Sequence, residues 1–314
     1  MQPSQKIIFR IFSACVFLVV LLAAFAIGRQ QINRERNEDL DSIVDDVVVE
    51  NVTDEEIVLE DTTPIEEAAP VIDYPALTNP QTVTVGSRED VILFGVPDGF
   101  ATDGSGPKKL IIALPGHGTT AKQGFAAWIP HLQSSDYGLA IVDWWNGTGE
   151  TIEDYLRPEE LVPLISQFLA QERFTAEDLI LLEGFSRGSA NTYAVVANEK
   201  KLGYSLFDGI IANAGSYQSS FPVFSNAPQP TIAEWDRYLK GTVWVLACGG
   251  KDPNPDRDGC PAMEKTSGFL RQHGANVLAT LTDPYQGHGA FHLSSLGLPA
   301  QALKFFEQAL GLVR

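Results

Sequence analysis

Leu179-Ile180-Leu181-Leu182-Glu183-Gly184-Phe185-Ser186-Arg187-Gly188-Ser189 decides the reading of this chain: an apolar run breaks at a glycine and presents one serine. The pattern predicts a buried strand, a sharp turn and a helix start, with the helix carried on by the run Ala190 to Lys200. A serine hydroxyl is a weak nucleophile unless it is held beside a base, and a strained strand-to-helix turn exposes it for that purpose. Gly184 and Gly188 stand two residues either side of Ser186, where a Cβ would collide with tightly folded backbone. Ser186 is therefore the candidate nucleophile.

Outward from this stretch, short apolar runs alternate with helical ones from Gln81 onward. Thr82 to Val85 and Asp90 to Pro97 predict an opening antiparallel pair. Lys109 to Leu114 predicts a buried strand, followed by the turn Pro115-Gly116-His117-Gly118-Thr119-Thr120 and a helix from Ala121 to Leu132. A strand over Leu139 to Val142, a loop with Trp144 and Trp145, and a helix from Ile152 to Gln171 lead into the serine stretch. After it come strands over Phe207 to Ala212, Thr242 to Ala247 and Asn276 to Thr282, with helices over Ala262 to His273 and Leu298 to Leu310. Such alternation predicts an α/β fold with a mostly parallel sheet covered on both faces.

These residues carry a resemblance. The Gly184-Phe185-Ser186-Arg187-Gly188 elbow between a buried strand and a helix resembles that of the α/β-hydrolases, over about Gln81 to Arg314. Within that superfamily the chain is similar to the small carboxylesterase, lysophospholipase and feruloyl or polyester esterase groups. The resemblance implies a triad in the order Ser, Asp, His. His288, in Gln286-Gly287-His288-Gly289-Ala290 after the last strand, is the expected base; His292 is the runner-up, and His131 and His273 are read as structural. Asp252, after the strand Thr242 to Ala247, is the expected carboxylate, with Asp256 and Asp258 as close rivals. The oxyanion donors are expected to be the backbone N–H groups of Arg187 and His117. Pro115-Gly116-His117 departs from the His-Gly-x usual in the family, and a shifted alignment would make the second donor Thr119.

Composition bounds the rest. The chain has 314 residues and a formal charge of −18, but Asn37 to Ser87 holds 14 Asp and Glu and no Lys or Arg, leaving 26 acidic against 22 basic residues elsewhere. Nothing supplies the basic stripe that nucleic-acid binding needs. Three cysteines without a C-x-x-C pair argue against a zinc or thiol-redox site, so neither a metal nor a cofactor is expected. Asn254-Pro255-Asp256-Arg257-Asp258-Gly259 matches the first half of a calcium loop, but Lys265 stands where the bidentate Glu belongs. Cys248 and Cys260 flank that loop, either as a disulfide or as two thiols.

The apolar run Ile11 to Ile27, preceded by Lys6 and Arg10, has the form of a membrane anchor or an export signal. The expected organisation is residues 1–28 as signal-anchor or signal peptide, 29–80 as an acidic disordered stalk and 81–314 as the hydrolase domain. An uncleaved anchor would tether that domain outside the cytoplasm, and cleavage after Ala26 would release it to the periplasm or medium. The expected activity is hydrolysis of a small-molecule or polymer-linked carboxylic ester through an acyl-enzyme. A peptidase or thioesterase would use the same residues, and a non-catalytic binding module at the cell surface is the reading from another class. Ser216 to Arg237 and the Trp144–Trp145 pair are candidate walls of a substrate pocket.

Overall fold

The computed structural model describes residues 80–97, 100, 107–132, 135–145, 154–217 and 230–311. The expected anchor and stalk, residues 1–28 and 29–79, lie outside the described residues. So does most of the Ser216 to Arg237 segment. Among the described residues no helix is long and apolar enough to cross a membrane.

Among the described residues eight strands form one sheet: β1 (Gln81–Val85), β2 (Arg88–Gly95), β3 (Lys109–Leu114), β4 (Tyr137–Val142), β5 (Leu179–Phe185), β6 (Gly209–Asn213), β7 (Val243–Gly249) and β8 (Asn276–Asp283). Their order is β1-β2-β4-β3-β5-β6-β7-β8. β1 and β2 pair antiparallel, β2 joins β4 antiparallel, and every later pairing is parallel. Parallel strands need crossovers, which the helices supply: α1 (Ala121–Leu132), α2 (Pro158–Gln171), α3 (Arg187–Lys201), α4 (Ile232–Leu239), α5 (Cys260–Gln272), α6 (Ala290–Leu293) and α7 (Leu298–Ala309).

Strand periodicity divides the core into two layers. Leu110, Ile112 and Leu114 of β3 join Ile180 and Leu182 of β5 against α2 and α3 on one face. Ile111, Ala113 and Leu181 point to the other, where Phe125 and Trp128 of α1 meet Phe291 and Phe306. Near-continuous apolar strands are what a sheet covered on both faces requires. One residue breaks the run. Glu183 lies opposite Ala113 in the β3–β5 register and is buried.

Helices α2 and α4 and the short α6, which was not expected, differ from the expectation. α2 starts at Pro158, six residues after the expected Ile152, because a proline forces the residue before it into extended backbone. Arg157 has φ −76°, ψ 157°. Its N–H donates to Glu160 Oε2 at 3.0 Å, closing the first turn. α4 begins inside the segment read only as a pocket wall and runs two residues beyond it. Thr231 caps it: Glu234 N–H donates to Thr231 Oγ1 at 3.3 Å, while Thr231 N–H donates to Glu234 Oε2 at 2.8 Å.

Candidate active site

The carboxyl ends of β3, β5, β7 and β8 converge, and each delivers one part of the site. At the end of β5, Ser186 sits at φ +53°, ψ −112°, a strained conformation for a residue with a side chain. Ser186 N–H donates to the Asn213 carbonyl at 2.8 Å, and the Ser186 carbonyl accepts from Ala190 N–H at 3.0 Å. The turn is thus pinned to β6 on one side and to α3 on the other. A Cβ on Gly184 would stand 2.5 Å from the Gly188 carbonyl, and one on Gly188 would run into the Leu114 carbonyl. Glycine is required at both places because the elbow folds back on itself and on the end of β3.

The Asp252 and His288 side chains are brought together: His288 Nδ1 lies 2.7 Å from Asp252 Oδ2. The carboxylate is fully buried and the imidazole 29% exposed, so the ring's far edge can meet a substrate. Phe185, the neighbour of Ser186, packs its ring 5.1 Å from that of His288. Asp252 also accepts Asn254 N–H at Oδ1, 2.8 Å, which closes a local turn and fixes the carboxylate plane. The Cys248–Cys260 disulfide, with Cα atoms 5.1 Å apart, spans the loop that carries it.

The rival carboxylates fall differently. Asp258 is buried and paired with the Arg257 guanidinium at 2.5 Å. It shares a 4.8 Å cluster of donor atoms with Asp252 and His288, but each carboxylate already has a cationic or imidazole partner. Asp256 is exposed. The rival imidazole, His292, packs against Trp128 at 5.1 Å and Phe291 at 5.0 Å. Its Nε2 is buried without a partner among the described residues, and desolvation pushes its pKa down to about 3. His131 donates from Nε2–H to the His292 carbonyl at 2.9 Å. His273 ends α5 with Nδ1 2.6 Å from Asp236 Oδ1.

A residue not singled out from sequence organises the loop that carries His288. Asp283, last in β8, accepts Ser294 Oγ–H at 2.6 Å on one oxygen and the N–H groups of Tyr285 and Gln286 on the other. The Ser294 hydrogen bond first, then the Tyr285 amide, holds its pKa below the usual carboxylate range. Asp283-Pro284, an Asx-type turn starter, was the available signal.

The loop after β3 faces the elbow from the other side. A Cβ on Gly116 would lie 3.2 Å from Ser186 Cβ, so His117 follows directly beside the serine. Thr119 N–H donates to the Gly116 carbonyl at 3.2 Å, closing the turn that carries His117. Trp144 Nε1–H donates to the Pro115 carbonyl at 2.9 Å and is buried; it is an anchor for this loop, not a pocket wall. The side chains of the two expected oxyanion residues also meet. Arg187 Nη1 lies 2.6 Å from His117 Nδ1 and 2.6 Å from Tyr155 Oη, and Tyr155 Oη is 2.8 Å from His117 Nδ1. A guanidinium only donates, so the imidazole nitrogen and the phenol oxygen accept from it.

The comparisons with known proteins bear on the fold. No protein-family profile and no curated protein matches the chain. Solved structures do. TT1662 from Thermus thermophilus is similar at 18% identity over 75% of this chain and 99% of that one, with a TM-score of 0.54. The Pyrococcus furiosus esterase PF2001 aligns at 12% identity over 74% of this chain and 92% of that one, TM-score 0.52. Brefeldin A esterase, described as a bacterial homologue of human hormone sensitive lipase, aligns at 15% identity over 91% of this chain and 85% of that one, TM-score 0.51. This chain has the α/β-hydrolase fold. The eight-stranded sheet with its antiparallel opening, the helices on both faces and the elbow after the central β5 all belong to that fold.

Proposed function

We propose that this protein is a serine hydrolase of carboxylic esters. The observation that carries the reading is the 2.7 Å Asp252–His288 pair beside the strained Ser186 turn. The esterase names of two structural neighbours support the choice of bond. Ser186 Oγ attacks the ester carbonyl carbon as its proton passes to His288 Nε2. Asp252 holds the opposite ring nitrogen and stabilises the imidazolium. The N–H groups of Arg187 and His117 receive the oxyanion. Collapse of the tetrahedral intermediate expels the alcohol, which takes the proton from His288, and leaves an acyl-Ser186 ester. Water, deprotonated by His288, then attacks that ester and releases the acid and free Ser186.

The hydrolase domain is proposed to work outside the cytoplasm, tethered or released, and the Cys248–Cys260 bridge supports an oxidising location. The activity is tested with full-length protein: p-nitrophenyl ester turnover and fluorophosphonate labelling, each repeated with Ser186→Ala. Turnover and labelling that both vanish in the variant are expected. Equal labelling of variant and wild type would remove Ser186 from the role. Labelling without turnover of any ester would favour a peptidase.

A further inference from the structure

A cavity of about 210 Å³ lies on the α1 face of the sheet, next to the elbow. Ala113 and Glu183 form part of its floor, Ala127 and Trp128 of α1 one side, Phe185 another, and Leu293 of α6 stands at its edge, 72% exposed. It lies on the opposite face from buried Trp144 and is not the pocket expected from the tryptophan pair. Phe185 connects it to the chemistry. Its ring lies 5.1 Å from that of His288 and its residue immediately precedes Ser186, so the Phe185 side chain is shared between the cavity wall and the site.

We infer that this cavity, bounded by Ala127 and Phe185, binds an unbranched apolar arm of the ester substrate. The inference rests on the esterase reading above and names the kind of ester. Size is the first argument. Pockets that enclose a whole drug-sized ligand run to about 300–1,000 Å³, and this one, at about 210 Å³, is smaller. It fits one arm of a substrate whose ester group stays outside at Ser186. Charge is the second argument. The titratable side chains that line it are Glu183 and His292. Burial keeps the first protonated, its pKa pushed up to about 8, and the second neutral. Glu183 faces the Asn213 amide, which donates to its Oε1 at 3.3 Å, and has no cation among the described residues to pair with. At neutral pH the lining is therefore uncharged, which suits hydrocarbon and penalises an ionic group.

The acyl chain and the alkyl chain of the alcohol share this chemistry, and two substrate series separate them. With the full-length protein, kcat/KM is measured for p-nitrophenyl esters from acetyl to decanoyl and for n-alkyl acetates from methyl to octyl. Wild type is compared with Ala127→Leu and Ala127→Phe, which narrow the cavity from α1. The long-to-short ratio is expected to fall at least about tenfold in one series, more for Phe than for Leu, since each methylene lost from an apolar pocket is worth about that much. The series that responds identifies the arm. Ratios unchanged in both series, with both variants unfolding thermally like wild type, overturn the inference and leave the esterase reading standing. Should the larger side chains prevent folding, inhibition of wild type by 1-hexanol decides: competition with a long-chain ester supports the cavity, and absence of competition overturns it. No ester turnover by wild type would overturn the esterase reading itself, and this inference with it.

Discussion

Two pairs of the same residue types, a carboxyl group and an imidazole, flank Phe185. On one side Asp252 and His288 are hydrogen-bonded at 2.7 Å, with the imidazole edge open to solvent. On the other, Glu183 and His292 are desolvated among apolar and aromatic side chains, the acid held protonated and the base held neutral. The ring of Phe185 lies 5.1 Å from His288 and 6.3 Å from His292. Distance from the Phe185 ring barely separates the pairs. Pairing does: a carboxylate bonded to an imidazole can stabilise the cation formed when a serine proton arrives, and a carboxyl that keeps its own proton cannot.

The largest expected effect breaks the first pair and spares the second. His288→Ala should lower kcat for ester hydrolysis by about 10⁴-fold or more, as loss of a triad base does. His292→Ala, which removes an aromatic contact and no proton carrier, should retain at least about a thousandfold more activity than His288→Ala. Steady-state kinetics on p-nitrophenyl acetate measures both. Equal losses would mean that His292 shares the proton transfer.

Next comes the choice of carboxylate. Asp252→Asn should cost about 10³- to 10⁴-fold in kcat, since an amide favours the wrong tautomer of its partner. Asp258→Asn, whose carboxylate already pairs with Arg257, should cost less than about tenfold. The reverse order would transfer the role to Asp258.

How much of this was legible in the sequence depends on whether the cause is local. The elbow was, because the steric demand on Gly184 and Gly188 comes from backbone within four residues and from the strand beside it. The strands were legible from apolar runs that any two-sided sheet needs. The start of α2 was placed too early because the apolar periodicity runs back past Arg157, whereas Pro158 holds Arg157 in extended backbone and opens the helix. α4 was missed in a Ser- and Pro-rich stretch, although Thr231 and Glu234 have the spacing of a capping box. Glu183 was visible as a lone acid in an apolar strand, but its neutrality comes from burial by packing that the strand alone does not reveal, against the opposing pull of the Asn213 amide 30 residues away. The Arg187–His117–Tyr155 contact joins segments 32 to 70 residues apart, the cavity brings Ala113 near Leu293, and no local pattern announces either.

The third expected effect exposes the cost of the second pair. An unfolded chain releases the Glu183 proton near 4.5, whereas the folded protein holds it to about 8. Between those values the folded state binds one proton more than the unfolded state, so this group's contribution to stability declines as pH rises. The slope is at most about 1.4 kcal/mol per pH unit. Glu183→Gln has no such slope. The difference in unfolding free energy, wild type minus variant, measured in urea, should fall steadily from pH 5 to pH 8 and level off above it. A difference independent of pH would show that Glu183 is ionised when folded, and the two pairs would then be alike in charge.

The smallest expected effect concerns a third imidazole, which meets a cation where the other two meet a carboxylate or an apolar wall. Arg187 donates from Nη1 to both His117 Nδ1 and Tyr155 Oη, and so ties α3 to the loop after β3. Those two segments carry the backbone N–H groups assigned to the oxyanion. Loss of a whole oxyanion donor costs about 10²- to 10³-fold in kcat. Loosening one should cost a fraction of that. Arg187→Lys keeps the positive charge and the backbone amide but loses the planar fork that reaches two acceptors at once. A fall in kcat of about tenfold with KM unchanged is expected, because the tie acts on groups whose interaction strengthens only as the tetrahedral intermediate forms. A rise in KM at constant kcat would instead assign the guanidinium to ground-state binding of the substrate. In that case the imidazole of His117 would be a bystander to catalysis, and position along the chain beside the nucleophile would say less about function than the partner each ring nitrogen meets.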